Sequence, residues 1–284
     1  MRRWTFFTYG VFCHLLFLAT FAYMAGFVGN FLVPKSIDSG SAPPTSQAIA
    51  IDILLILMFG LQHSVMARPR FKQVWTRVVP PPIERSTYVL ASCIVTGMIL
   101  ALWQPIRPIV WDVATPGGRM LLWALFALGW LMVPTVSLFI NHFDLFGTRQ
   151  VWLYLQKREY TSLPFRVPML YKYVRHPLYV GWALAFWATP TMTLGHLLFA
   201  GTLTLYMGIA ARLEERDLVG YYGETYRAYQ RSVPMFIPRP GGQDERPATR
   251  ALPGTVSLEK AVNDPKPGSL LHQPEAFARE SPIR

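Results

Sequence analysis

The side chains with the most chemistry lie in the last third of the chain. Tyr171, Tyr173, Arg175, His176, Pro177, Tyr179 and Gly181 form the densest run. Pro177 suits the first position of a helix, where a missing N–H costs nothing. A helix starting there sets Arg175 and His176 at its positive end, where backbone donors gather and an anion such as a carboxylate is favoured. The same residue types also make an interfacial anchor at the end of a membrane helix. Gly181 sits about one turn in and permits close approach of a ligand or a neighbouring helix.

A second cluster is Arg212, Glu214, Glu215, Arg216 and Asp217. A charged side chain costs about 2.5–3.5 kcal/mol at a bilayer centre and less at its boundary. A carboxylate at that boundary accepts hydrogen bonds from ribose hydroxyls or balances a cationic ligand. The plainer alternative is a helix end returning to water, with Arg212 and Arg216 as local partners. Tyr222, Tyr226 and Tyr229 follow at i, i+4 and i+7. That spacing predicts a short amphipathic helix lying on the membrane surface.

The composition says what must hold these clusters. Of 284 residues, 52% are hydrophobic and 15% charged, whereas soluble domains carry about 25% charged residues. Apolar runs at 9–33, 47–66, 86–103, 120–140 and 177–208 match membrane spans of about 20 residues. The first exceeds the core of a signal peptide and no Ala-x-Ala site follows it, so it reads as a retained helix. The last is long for one helix, and Pro190 opens a turn signal at 190–195. It predicts a hairpin whose short limb is 178–189.

Loops holding few basic residues (Lys35; Arg107) alternate with basic ones, such as Arg68, Arg70, Lys72 and Arg77. This positive-inside pattern predicts a cytoplasmic location for both termini, hence six crossings, or five and a non-crossing segment. It also explains the net charge of +11 without nucleic acid, which is excluded as a partner. The expected fold is an all-α integral membrane protein with five to six transmembrane helices, a C-terminal helical hairpin and a cytoplasmic amphipathic helix. Cys13 and Cys93 lack the spacing of a disulfide framework, a zinc site or a redox pair, and no metal site is expected. No Gly-rich strand–turn–helix is present for a nucleotide.

Taken in order, Arg-His-Pro-x-Tyr-x-Gly at 175–181, Glu-Glu-x-x-Leu at 214–218, Gly-Glu-x-Tyr-x-x-Tyr at 223–229 and Val233-Pro234 resemble the isoprenylcysteine carboxyl methyltransferase-like superfamily of membrane methyltransferases. Upstream, Gln62-His63-Ser64, Glu84-Arg85-Ser86-Thr87-Tyr88 and the 141–150 segment look like its methanethiol S-methyltransferase branch. The resemblance implies S-adenosylmethionine as methyl donor and a small thiol, methanethiol, as substrate, giving dimethyl sulfide by in-line transfer. Tyr171, His176, Pro177, Leu178, Tyr179 and Glu214 match its cofactor-contacting positions; Arg175, Gly181 and Glu215 join them as candidates, and 163–166 is a further segment. It also implies a bacterial inner membrane.

A thiol reacts as its thiolate, so His63 and His142, both beside apolar runs, are the expected catalytic histidines. A histidine hydrogen-bonded between helices is the alternative. The regions are then 1–140, a four-helix transmembrane part; 141–238, the cofactor-binding part; and 239–284, a disordered tail too polar to offset its ordering entropy. One departure stands out. Carboxyl methyltransferases of the superfamily place a substrate-reading arginine where this chain has Ala210, and the nearest arginine is Arg212. Competing readings are a phospholipid or prenylcysteine methyltransferase, or a non-enzymatic membrane protein linked to nitrogen-oxide metabolism. A transporter lacks support from any internal repeat.

Overall fold

In hydrocarbon every backbone N–H and C=O needs a partner within the protein, which leaves helices as the economical way across. The computed structural model describes residues 1–161 and 167–239. The 163–166 segment and all of the tail after Arg239 lie outside them. Among the described residues, five helices are long and apolar enough to cross a membrane: α1 (Arg2–Gly29), α2 (Thr45–Ala67), α4 (Pro81–Leu102), α5 (Pro116–Ile140) and α9 (Leu194–Tyr222). Leu54, Leu57 and Leu61 on α2, Leu128 and Leu131 on α5, and Leu205 on α9 are exposed. Such contiguous apolar surface is a liability in water and the correct face for lipid. The chain is an integral membrane protein.

The core is aromatic, built from Trp103, Phe126, Trp130, Phe186 and Phe199 with the partly buried Trp182. Trp103 meets Phe199 edge-on at 5.4 Å and Trp130 meets Trp182 at 5.5 Å, the geometry that aromatic quadrupoles favour.

The hairpin has an unequal build. Its first limb, α8 (Pro177–Trp187), has 11 residues, about 16 Å at helical rise, half of a bilayer core. The rest of the depth is covered by extended chain. The turn expected at 190–195 is in fact strand β2 (Thr191–Thr193), paired antiparallel with β1 (Ile109–Asp112) from the α4–α5 connection. Pro190 ends the helix, and the exposed backbone is then answered from that connection. Val113 N donates to Pro190 O at 3.0 Å, Leu194 N to Pro108 O at 2.8 Å, and Gly195 N to Ile106 O at 2.9 Å. His196, wholly buried, stands with Nε2 2.8 Å from Phe186 O and satisfies a carbonyl at the frayed end of α8. Helix α8 packs beside α9 as a short apolar limb next to the five long helices.

Gly129 on α5 lets α8 come close. A Cβ there would stand 2.4 Å from Ala185 N and 2.8 Å from Gly181 O.

Short helices gather where the basic residues lie: α3 (Pro69–Trp75), α6 (His142–Leu145), α7 (Thr148–Leu155) and α10 (Glu224–Ser232). The single tyrosine face expected at 222–229 is broken. Gly223 adopts φ +58°, a region open to glycine, so Tyr222 closes α9 while Tyr226 and Tyr229 ride on α10. Tyr226 is 2% exposed, and Tyr229 donates its hydroxyl to Tyr171 O at 2.6 Å. α10 thus folds back on the protein, and its tyrosines pack inward instead of anchoring in the bilayer.

Replacing Gly129 by valine should lower the melting temperature in detergent, by an overpacking cost of about 1–3 kcal/mol. Gly117→Ala, also on α5 but with nothing within 4 Å of its Cβ position, should leave it unchanged.

Candidate active site

Two adjacent carboxylates on a helix point about 100° apart, and Glu214 and Glu215 have separate fates. Glu215 faces inward and is 8% exposed. Arg175 donates Nε to its Oε1 at 2.6 Å and Nη2 to its Oε2 at 3.2 Å. His176 Nε2 lies 3.0 Å from Oε1, and Gln230 Nε2 donates to Oε2 at 2.9 Å. Its partners therefore come from the start of α8 and from α10, not from Arg212 or Arg216. Arg175 also donates Nη1 to Gln230 O and Val233 O, at 2.9 and 2.6 Å. The backbone N–H groups of Arg175 and His176, expected to be open to an anion, donate to Pro234 O and Met235 O at 2.9 and 3.1 Å. The Val233-Pro234 motif is the strap that ties the C-terminal segment to the foot of α8.

Glu214 faces the other way, with its side chain 52% exposed. Tyr179 donates its hydroxyl to Glu214 Oε2 at 3.2 Å; Oε1 has no hydrogen bond among the described residues. His176 Nδ1 is 3.9 Å from Oε2. The His176 and Tyr179 rings stack at 5.3 Å, 7° from parallel, and Phe236 packs on His176 at 5.7 Å. Burial, and then the charge of Glu214, push the Tyr171 phenol well above its ordinary range. The site is thus one free carboxylate oxygen with aromatic faces around it, suited to a cation or a sugar hydroxyl. Beside it, a cavity of about 500 Å³ opens between α8 and α9, lined by Tyr179, Ala183, Trp187, Thr204, Met207 and Phe236. Its walls are almost wholly apolar.

The comparisons with known proteins bear on this arrangement. A methanethiol S-methyltransferase of Crocosphaera subtropica is 52% identical over 230 residues, 81% of this chain and 90% of the relative. One from Mycobacterium tuberculosis is 48% identical over 240 residues, 84% of this chain and 98% of the relative. The chain belongs to the methanethiol S-methyltransferase family. Human nurim is a more distant relative, 33% identical over 178 residues, 60% of this chain and 68% of nurim. No protein-family model matches the chain, and no solved structure matches it.

In this family member, Tyr171, Arg175, His176, Tyr179, Glu214 and Glu215 come together. Pro177 is buried and Leu178 half-buried in the first turn of α8. Gly181 faces α5, 3.3 Å from Met132 at its Cβ position, and serves helix approach. The two expected catalytic histidines stand in different places. His63, on α2, is bonded to Tyr88 and Ser92 of α4. His142 is buried against His14 of α1, Nε2 to Nε2 at 2.9 Å, with its Nδ1 2.7 Å from Ser137 Oγ. Asp144 and Arg149 pair at 2.8 Å.

Sequence reasoning passes over His14, Gln230 and Ser137, and gives Tyr88 no role beyond its place in the 84–88 motif. His14 interrupts an apolar run as His63 does, so the rule that flags intramembrane ionisable residues applies equally to it. Gln230 carries no such signal.

Arg175→Leu leaves Glu215 as a buried carboxylate without its cation and should cost about 3–5 kcal/mol, read as a lower melting temperature. Arg231→Ala, which breaks an exposed pair with Glu224, should leave melting unchanged. Burial holds the His142 pKa below its ordinary 6.5. The unfolded chain then binds the proton more readily, so stability is full above that value and falls on acidification below it. His142→Gln should flatten the melting temperature between about pH 7.5 and about pH 5.5.

Proposed function

We propose that this protein transfers a methyl group from S-adenosylmethionine to methanethiol, releasing dimethyl sulfide. The observation that carries the reading is the meeting of Tyr179 with Glu214 at 3.2 Å, two residues of the donor motif far apart in sequence. The names of the relatives at 46–52% identity support the thiol as acceptor. When bound, S-adenosylmethionine supplies an electrophilic methyl group on a sulfonium sulfur. Glu214 offers its free oxygen to the cationic donor. Tyr171, His176 and Tyr179 offer aromatic faces, and Pro177 and Leu178 shape the first turn of α8 beneath it. Arg175 and Glu215 support this face by locking α8, α9 and α10 together.

The substrate side fits a small neutral thiol. Position 210 is alanine and Arg212 is exposed, so the prenylcysteine carboxylate loses the arginine that the superfamily pattern would supply. Holding the thiol in line with the methyl group converts an encounter into an intramolecular step, which is the larger part of what such an enzyme must do. Under the positive-inside rule the basic loops face the cytoplasm of a bacterial inner membrane, and both termini are assigned to that side by the same rule.

Calorimetry on the purified protein in detergent should detect S-adenosylmethionine binding. Glu214→Ala and Tyr179→Phe should each weaken it at least tenfold, about 1.4 kcal/mol. Membranes given methanethiol and the donor should release dimethyl sulfide into the headspace. A wild-type protein that binds no donor defeats the proposal; methylated lipid with no dimethyl sulfide transfers it to the phospholipid reading.

A further inference from the structure

A hydrogen-bonded cluster joins α2 to α4, and the donor clasp makes no use of it. His63 Nδ1 stands 3.3 Å from Ser92 Oγ, and His63 Nε2 stands 2.9 Å from the Tyr88 hydroxyl. Ser92 donates its hydroxyl proton to Tyr88 O at 3.0 Å. That proton is therefore committed, and Ser92 Oγ accepts from His63 Nδ1–H. A neutral imidazole has only one N–H, so Nε2 carries a lone pair and accepts from the Tyr88 phenol. The phenol's other acceptor, His63 O, is farther away at 3.4 Å. The tautomer of His63 follows from its neighbours, and its basic nitrogen is capped by a phenol.

The cluster borders the proposed methyl-transfer site. Phe59 stacks on His63 at 5.2 Å and meets Tyr206 of α9 edge-on at 6.0 Å. Ser64 Oγ lies 3.1 Å from the Tyr206 hydroxyl, about two helical turns from Glu214. The charged and titratable groups facing Tyr88 are Glu84 and Arg85 on α4, Tyr206 on α9 and Tyr179 on α8. Tyr179 in turn holds Glu214, and Arg68 of α2 pairs with Asp217 of α9 at 2.7 Å.

We propose that Tyr88 is a catalytic residue that takes the proton of the thiol and passes its own to His63; this rests on the function proposed above. The thiol S–H bond breaks as its proton joins the Tyr88 oxygen. The phenol's original proton moves to His63 Nε2, forming an N–H bond and an imidazolium. The thiolate then uses its electron pair to form the new S–CH3 bond, and the pair of the broken methyl–sulfonium bond stays on the donor sulfur. Two neutral thioethers result, and His63 returns its proton to solvent. A thiol of ordinary pKa is mostly protonated near neutrality, so such a relay has a barrier to lower. Ser92 is the positioning residue, since it acts only through the tautomer of His63.

The test compares ethanethiol with trifluoroethanethiol, similar in length and far apart in acidity. At neutral pH, Tyr88→Phe should slow ethanethiol methylation by about a hundredfold and the acidic thiol by much less. The ethanethiol deficit should shrink by about tenfold per pH unit as pH rises, and His63→Gln should show the same pattern. Donor binding by calorimetry should change by no more than about twofold in either variant. As a gentler probe, Tyr88→3-fluorotyrosine should move the ethanethiol pH profile to lower pH. Equal losses for both thiols with a flat pH dependence, a fully active Tyr88→Phe, or an unmoved profile overturns the relay. A wild-type protein that methylates neither these thiols nor methanethiol overturns the proposed function itself.

Discussion

A carboxylate taken out of water must be met by donors, and everything at the basic end of this bundle is arranged around how Glu215 is met. Arg175 and His176 reach it from the foot of α8, and Gln230 reaches it from α10. Alone, a buried ion pair gives little net stability, because desolvation offsets its Coulombic gain. What it does give is placement. Three elements that share no sequence neighbourhood are forced into one register, and any other register strands a charge. Glu214, next along the helix, is released from structural duty and turned toward the aromatic face.

The same economy governs the other end. Helix α8 is too short to cross, and the unhelical remainder would carry unanswered backbone groups into hydrocarbon. The α4–α5 connection supplies a strand, and His196 reaches the Phe186 carbonyl that the missing turn leaves behind. Close contact at Gly129 then sets α8 against α5, and so aims Tyr179 at α9.

Much of this is legible in the residues, for identifiable reasons. Lipid tolerates little but uncharged runs, so the spans are plain, and the hairpin is visible because Pro190 interrupts one of them. The pairing of Tyr179 with Glu214 follows from the family pattern, not from spacing alone. The strand pair is not legible, since three or four residues such as Thr191–Thr193 carry no readable alternation. The partner of Arg175 is hidden as well, because no local pattern joins it to a glutamate in another helix. Gly223 is a visible breaker, yet the helical period of the tyrosines runs across it and suggests one continuous face. Glycine's access to positive φ overrides that period.

The length of α9 has a further consequence. At 29 residues it measures about 43 Å, well beyond the roughly 30 Å of a hydrocarbon core. That surplus is enough to carry Glu214, near the C-terminal end of α9, toward the polar boundary, while the cavity opens between the apolar walls of α8 and α9. Under the proposed reaction, a water-borne nucleoside and an oil-soluble thiol would reach one sulfur-to-sulfur line from two different phases. On that reading neither reactant has to dissolve in the other's solvent, and shortening the overhang by two turns would draw the Glu214 carboxylate toward the hydrocarbon.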